Sequence, residues 1–224
     1  MRKGQKTRSA ILEQALAIAS QLGLSGLTIG TLAERSGLSK SGLFAHFRSK
    51  EGLQLAVIQG VRESYSDLVF QPAMRQAPGL PRLRAIVENW LAWTGSAKLP
   101  GGCIMIAAAF EFDDCPGPVR ELISQSLREL RKTLARAIRM AVDAAQLHPD
   151  TDPEQLAFEI CAIYCGAQLD ARLFGSPDAR RRAMLAFENL IGRAGSGNAA
   201  AHSDAGLPPA YAAAATAPAA RPIG

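Results

Sequence analysis

Several features typical of membrane proteins, metalloproteins and enzymes are missing from this 224-residue sequence. No apolar run reaches the ~18 residues that a membrane-spanning helix needs, and charged residues interrupt the first apolar segment, so we expect neither a transmembrane helix nor a signal peptide. The four cysteines, Cys103, Cys115, Cys161 and Cys165, form no CxxC pair of the kind that binds metals. The histidines lack partners at a spacing usable for catalysis. We therefore expect a cytoplasmic protein with reduced thiols, no enzymatic activity, no metal and no cofactor.

Strand-type alternation is also scarce, whereas apolar residues recur at helical spacing along most of the chain. The apolar content of 48% is enough to build a core. We predict an all-α fold. Beyond the N-terminal helices, the predicted helices run over residues 80–93, 103–112, 119–146, 153–174 and 177–193. The chain after Gly195 contains few large apolar groups, so we predict that residues 195–224 are a disordered tail.

The most informative segment lies between Thr28 and Lys50, and it predicts two short helices joined by a tight turn. Thr28 is a suitable N-cap for the first helix, and Gly37 ends it because glycine enters the left-handed conformation without a Cβ penalty. Ser39 caps the second helix. A helix, a short glycine turn and a second helix form the layout of a helix-turn-helix, in which the second helix enters the DNA major groove.

The second helix of this pair has one apolar face and one polar face. Leu43 and Phe47 point inward at i, i+4 spacing. This leaves five residues facing outward: Lys40, Ser41, Gly42, Phe44 and His46. The first two lie at the helix N-terminus, where a lysine donates to guanine and a serine hydrogen-bonds either base type. The glycine costs roughly 1 kcal/mol of helix propensity. It therefore indicates either a close approach to DNA phosphate or simple packing beside the turn.

Basic residues are concentrated at the N-terminus. Arg2, Lys3, Lys6 and Arg8 precede the first acidic residue, Glu13, and the N-terminal domain supplies most of the net charge of +5. Clustered positive charge on a small helical domain is typical of nucleic-acid binding. The alternatives are ordinary solvated surface charges and a helical hairpin with no role in DNA binding.

Residues 7–61 resemble the DNA-binding domain of the tetracycline-repressor-like (TetR) family of bacterial transcriptional regulators. The run LTIGTLAERSGLSKSGLFAHFRSKEGL carries the resemblance, since its small, capping, aromatic and basic positions all match the family pattern. The resemblance implies contacts with the DNA backbone from Thr28, Phe44, His46 and Lys50.

The resemblance also implies that bases are read by Lys40, Ser41 and Gly42, and we count Ser39, which caps their helix, with the DNA-binding residues. Phe44 stands where the family usually has tyrosine, so a phenolic contact with phosphate is missing. The Phe44 ring is then expected either to pack within the domain or to contact a thymine methyl group.

The last two predicted helices are apolar on nearly all sides, which is typical of helices buried on more than one side. The resemblance implies that they pair with their copies across a two-fold axis as a four-helix bundle. The residues predicted for this dimer interface are Leu156, Ile160, Ile163, Ala167, Phe174, Met184, Phe187 and Ile191. The alternative is that they form an ordinary internal core.

A ligand pocket between the helices of the second domain is also predicted. Its candidate residues are Trp90, Trp93, Met105, Phe110, Glu111, Met140 and Tyr164. Glu111 lies in an apolar helix and could bind a cation or an amide of the ligand. The alternative for the others is that they are ordinary core residues.

These expectations define three regions: residues 1–61 as a three-helix DNA-binding domain, 62–194 as a larger helical domain for ligand binding and dimerisation, and 195–224 as the tail. The predicted function is transcriptional repression. As a homodimer the protein would bind a palindromic operator in double-stranded DNA and be released by a small-molecule effector. The alternatives are a TetR-like activator and a ligand-independent DNA-binding protein.

Overall fold

The computed structural model describes the backbone of residues 3–195 and the side chains of residues 7–195, and the predicted tail beyond Gly195 lies outside the described residues. Within this range every regular element is a helix, as the sequence predicts. The helices are α1 (Lys3–Gly26), α2 (Ile29–Ser36), α3 (Lys40–Phe47), α4 (Lys50–Tyr65), α5 (Gln71–Ala73), α6 (Leu80–Thr94), α7 (Ile104–Glu111), α8 (Pro118–Asp143), α9 (Pro153–Arg172) and α10 (Ala179–Gly195). None of these helices is long and apolar enough to cross a membrane.

The helical continuation after α4 has no counterpart in the sequence-based prediction. A π-helical segment, Ser66–Phe70, connects α4 directly to the short helix α5. Pro72 lies in the first turn of α5. Because proline has no N–H, it suits a place where regular α-helical hydrogen bonding is interrupted.

The helix-turn-helix is built from the caps that the sequence predicts. The Thr28 hydroxyl accepts a hydrogen bond from the Thr31 N–H at 3.0 Å, and the Thr31 hydroxyl accepts one from the Thr28 N–H at 2.8 Å. This reciprocal capping box starts α2. Gly37 ends α2 in the left-handed conformation, with φ 69°. The Ser39 hydroxyl accepts a hydrogen bond from the Gly42 N–H at 3.1 Å and so starts α3.

Helix α1 is interrupted at Gly23. Gly23 has φ 76° and ψ 165°, and one further turn follows before Gly26. The helices of this domain enclose a common core that contains Leu27, Leu32 and Leu43, all at most 1% exposed. This core fixes the orientation of α3 relative to α1 and α2.

Helix α4 joins the two domains. The Ser49 hydroxyl caps it by accepting a hydrogen bond from the Gly52 N–H at 2.9 Å. A Cβ at Gly52 would overlap the Phe47 carbonyl oxygen, so the tight corner between α3 and α4 requires glycine. From this corner α4 packs first against α1 and then against α8 of the C-terminal domain. Helix α4 therefore contacts both domains.

The C-terminal domain is a bundle in which α9 packs against both α8 and α10. This packing buries most of the residues predicted for the dimer interface inside the single chain. Five residues assigned to that interface are instead buried within one chain: Leu156, Ile160, Ala167, Phe187 and Ile191. Ile163 and Met184 are half-buried. Because α6 and α8 cover the inward faces of α9 and α10, these side chains belong to the core of the single chain.

A different set of apolar side chains is exposed on α9, α10 and the segment between them. Its members are Phe158, Leu169, Leu173, Phe174 and Leu185, each more than 50% exposed. Of the residues predicted for the dimer interface, Phe174 belongs to this exposed set. Exposed large apolar side chains on neighbouring helices are candidates for contact with another protein.

Candidate nucleic-acid interface and ligand cavity

Helix α3 presents a polar face to solvent. Leu43 and Phe47 are 1% and 5% exposed and fasten α3 to the domain core. The candidate DNA-binding residues Ser39, Lys40, Ser41, Gly42, Phe44 and His46 are all exposed. The structure therefore brings the predicted base-reading residues together on one accessible face, at the N-terminal end of the helix that enters the groove in helix-turn-helix proteins.

The other candidate contacts flank α3. Lys50 is exposed at the first position of α4. Thr28 is half-buried and its hydroxyl belongs to the capping box, so its structural role in starting α2 is established by geometry. Phe44 is 57% exposed, so its ring is not packed in the core of the domain. Of the two roles predicted for this ring, contact with a thymine methyl group is the one that fits.

Two arginines add positive charge near α3. Arg48 is exposed with φ 65°, and its N–H donates a hydrogen bond to the Phe44 carbonyl at 2.8 Å, which ends the helix. The Arg8 guanidinium lies 5.9 Å from the centre of the Phe47 ring and so brings the start of α1 beside α3. The sequence alone does not show that these two arginines both lie close to the C-terminal end of α3, the recognition helix of the helix-turn-helix. The fold shows it.

The C-terminal domain contains a cavity of about 230 Å³ between the end of α4, the π-helical segment, α6, the start of α7 and α8. Its lining is predominantly apolar and aromatic. The lining residues are Val61, Arg62, Tyr65, Ser66, Phe70, Trp90, Trp93, Cys103, Met105, Ile106, Ser126, Leu127, Glu129, Leu130 and Thr133. Cavities of roughly 150 Å³ accommodate benzene, so this volume is large enough for a somewhat larger molecule.

Three aromatic rings form one wall of this cavity. The Tyr65 ring meets Trp90 edge-on at 6.2 Å between centroids and Trp93 at 6.3 Å. Trp90 in turn stacks on Tyr164 at 3.5 Å. Burial raises the pKa of the Tyr65 hydroxyl well above its usual value, so Tyr65 stays neutral. This wall favours flat, uncharged ligand groups.

Charged side chains are confined to the cavity rim. Arg62 of α4 and Glu129 of α8 form an ion pair at 2.7 Å, with both side chains partly exposed. Burial raises the pKa of the Cys103 thiol, which therefore stays protonated and weakly nucleophilic. The interior thus offers apolar and aromatic contact rather than charge or a reactive group.

The cavity differs from the predicted pocket in four of its seven residues. Trp90, Trp93 and Met105 line it. Tyr164 lies behind Trp90, Phe110 is 73% exposed, and Met140 does not contribute to the lining. A pattern of apolar residues does not reveal which helical face a cavity occupies, and this explains the misplacement. Tyr65 and the π-helical segment were missed because their sequence carries no comparable pattern.

Glu111 is the fourth predicted pocket residue that does not line the cavity. Its side chain contacts the DNA-binding domain instead. Its carboxylate accepts hydrogen bonds from the backbone N–H groups of Leu24, at 3.1 Å, and Ser25, at 2.6 Å. Glu111 therefore holds the last turn of α1, which follows the break at Gly23.

Comparison with known proteins identifies this arrangement. The profile for bacterial regulatory proteins of the tetR family matches residues 11–57, and the profile for the tetracyclin repressor-like C-terminal domain matches residues 79–187. The chain belongs to the TetR family and is a DNA-binding transcriptional regulator.

Individual relatives are similar over most of their length. The HTH-type transcriptional repressor NemR of Escherichia coli K12 is 21% identical over 187 residues, covering 83% of this chain and 94% of NemR. The crystal structure of a TetR transcriptional regulator from Chloroflexus aurantiacus J-10-FL is 27% identical with a TM-score of 0.74, covering 86% of this chain and 96% of that one. AibR, solved in complex with isovaleryl coenzyme A and operator DNA, has a TM-score of 0.62 at 22% identity, covering 83% and 96%.

Proposed function

We propose that this regulator is a repressor that binds a palindromic operator as a homodimer and leaves it when a small molecule occupies the cavity. NemR, a relative along nearly its whole length, is a transcriptional repressor. AibR, which shares the fold, has been crystallised with both a ligand and operator DNA. The proposal assigns no enzymatic activity to the chain and places it in the cytoplasm, together with the DNA that it binds.

In this proposal the exposed face of α3 enters the major groove. Lys40, Ser41 and Gly42 read base edges, because they occupy the N-terminal end of the helix. His46 and Lys50 contact the sugar–phosphate backbone on either side, and the exposed Phe44 ring contacts a thymine methyl group. Ser39 and Thr28 hold the helix ends next to these contacts. Phosphate contacts fix the register of the protein on the duplex, and base contacts supply the sequence preference.

The dimer forms through the exposed apolar residues of α9, α10 and the segment between them, which replace the interface predicted from sequence. Phe158 and Leu169 lie on α9, Leu185 lies on α10, and Leu173 and Phe174 lie between them. These are the two helices that pair across a two-fold axis in the TetR family. Burying these side chains against a second copy removes apolar area from water, which stabilises the dimer. Two-fold symmetry then places one α3 on each half of a palindrome.

The observation that carries the proposal of ligand release is the course of α4. Its first residue, Lys50, lies beside α3, and its last residue, Tyr65, lies in the cavity wall. A single helix therefore touches both sites, and a ligand that shifts its C-terminal end changes the angle of the DNA-binding domain. The domain boundary predicted at 61/62 falls inside this helix, so α4 is continuous across it.

Selection of bound sequences from random duplex DNA tests this function. We expect an enriched palindrome whose half-sites lie one DNA turn or a multiple apart. A reporter gene placed behind this palindrome should be repressed when the protein is present. Failure to enrich any palindrome would contradict operator binding by a dimer, and increased reporter expression would contradict repression.

A further inference from the structure

Helix α7 is an eight-residue helix that reaches from the cavity to the DNA-binding domain. Near its start, Met105 and Ile106 line the cavity, together with Cys103 just before it. At its end, Glu111 contacts the last turn of α1, which follows the break at Gly23. A short helix moves as a rigid unit, so a shift at one end displaces the other.

Glu111 contacts the backbone of this turn at two points. Both carboxylate oxygens are used, one for the Leu24 N–H and the other for the Ser25 N–H. Hydrogen bonds to an ionised carboxylate are about twice as strong as neutral ones. Gly23 has a left-handed φ of 76°, and a Cβ there would lie 2.5 Å from a Glu111 oxygen. Glycine at this position therefore allows the carboxylate to approach the backbone.

The same turn is fixed from a second side by α4. The buried Gln54 side chain donates a hydrogen bond from its Nε2 to the Leu24 carbonyl at 2.9 Å. Leu24 itself is fully buried. The backbone at Leu24 is thus held by α7 through its N–H and by α4 through its C=O. Four residues later Thr28 starts α2, so the position of this turn sets where α2 and α3 begin.

We propose that Glu111 is a positioning residue that couples the cavity to the recognition helix through α7, in parallel with α4. The inference rests on the proposed release by a ligand and names a second route for it. When the cavity is filled, α7 moves outward, Glu111 withdraws from the turn, and α2 and α3 lose the orientation that fits the operator. Glu111 itself touches neither the DNA nor the ligand.

A second contact keeps α7 attached to the domain when Glu111 is changed. The Gly101 N–H donates to the Ser20 hydroxyl at 3.0 Å, and Gly101 lies directly against the Ser20 backbone. This contact precedes α7 and does not involve Glu111. A Glu111 variant therefore retains the packing between α1 and the loop before α7, and we expect it to fold.

A double-mutant cycle on operator affinity tests the proposal without a known effector. Ile106→Trp adds bulk on the cavity side of α7 and stands for an occupied cavity, and Glu111→Ala removes the contact at the other end. Operator affinity is measured by fluorescence anisotropy for the wild type, both single variants and the double variant. Glu111→Gln, which keeps one acceptor, provides a milder second variant. Asp114→Ala, which removes an exposed charge beyond α7, is the matched control.

If α7 transmits the change, each single substitution weakens operator binding about 5- to 150-fold, the usual range of allosteric coupling. The double variant should then be no weaker than the weaker single variant, because the route is already broken. Glu111→Gln should fall between the wild type and Glu111→Ala, and Asp114→Ala should match the wild type. Faster amide exchange at Leu24 and Ser25 in Glu111→Ala, with an unchanged urea midpoint, would support positioning rather than a general loss of stability.

Two results would overturn the inference. One is that the fold-changes of Ile106→Trp and Glu111→Ala multiply in the double variant, as expected if α4 transmits the signal alone. The other is that Ile106→Trp leaves operator affinity unchanged. Neither result concerns whether the wild type selects a palindrome and represses, so failure of the proposed function is recognised separately, by the selection experiment.

Discussion

Residues 1–61 contain eight of the chain's 25 basic residues and only three of its 20 acidic ones, whereas the remainder holds 17 of each sign. The whole net charge of +5 therefore resides in the DNA-binding domain. The two domains also differ in helix length. Helices α2 and α3 have eight residues each, whereas α8 and α9 have 26 and 20. Between Ser39 and Lys50 most positions are a cap, a core residue or a candidate DNA contact. In the second domain, long helices leave several faces free to pack against different partners.

These differences in charge and helix length follow from what each domain must do. A recognition helix must present a small number of side chains at defined positions, so its caps and its charge are closely specified. A ligand and dimerisation domain needs apolar faces in the right places, and many sequences provide these.

The first prediction concerns the outer surface of the C-terminal domain. Replacing Leu173 and Phe174 together by glutamate would place unpaired charges in the proposed dimer interface, at a cost of several kcal/mol. We expect a folded monomer by light scattering and circular dichroism. The same double replacement at Leu22 and Leu38, which are exposed on the other domain, should leave the dimer intact. A dimer from the Leu173 and Phe174 variant would place the interface elsewhere.

The second prediction concerns the interior of the same domain. Phe187 is fully buried, so Phe187→Ala should lower the free energy of unfolding by about 3–5 kcal/mol through lost burial and cavity formation. Phe110→Ala, on a side chain 73% exposed, is the control and should change it by less than about 0.5 kcal/mol. Urea denaturation measures both. Equal losses would mean that the two phenylalanines have similar environments.

The third prediction separates base reading from phosphate binding in the N-terminal domain. Lys40→Ala should cost about 1–3 kcal/mol on the preferred operator and change the selected bases. Lys50→Ala should weaken binding to all DNA similarly and reduce the salt slope by roughly 1. Affinity measurements over a salt series on operator and random DNA distinguish these outcomes. A selected motif that Lys40→Ala leaves unchanged would remove Lys40 from base reading.

The smallest expected effect concerns the ion pair at the cavity rim. Arg62 and Glu129 are both partly exposed, so their interaction should contribute at most about 1 kcal/mol to stability. A double-mutant cycle with Arg62→Ala and Glu129→Ala, followed by urea denaturation, gives the value. A coupling well above this limit would show that the pair is an important link between α4 and α8.

The comparison also explains which features the sequence predicts. The caps at Thr28 and Ser39 and the stop at Gly37 are local, because each depends on a few neighbouring residues, and all three occur in the structure. The helices from α6 onward follow equally from their apolar periodicity, whereas the π-helical segment and α5 do not. The packing partners of the helices from α6 onward do not follow from it, because a helix that is apolar on nearly all sides gives no indication of which side another helix covers. Phe187 was therefore assigned to the surface of a dimer and lies in the core.

The role of Glu111 illustrates the same limit. Its sequence context, an apolar helix with a single acid, indicates an important carboxylate but not its partner. The partner is a pair of backbone N–H groups more than 80 residues earlier in the chain. Backbone groups carry no residue-specific pattern, so only the tertiary structure reveals this contact.

If a ligand in the cavity releases the operator, then the ligand and the operator DNA must weaken each other's binding to the protein. Measuring this linkage tests the proposed release. Trp90 and Trp93 are the only tryptophans in the sequence and both line the cavity, so quenching of their fluorescence identifies compounds that bind there. For such a compound, the dissociation constant is measured with free protein and with operator-bound protein. The account predicts weaker binding to the complex by about 5- to 150-fold, and an equal loss of operator affinity when the compound is saturating. Equal affinity for free and DNA-bound protein would contradict it.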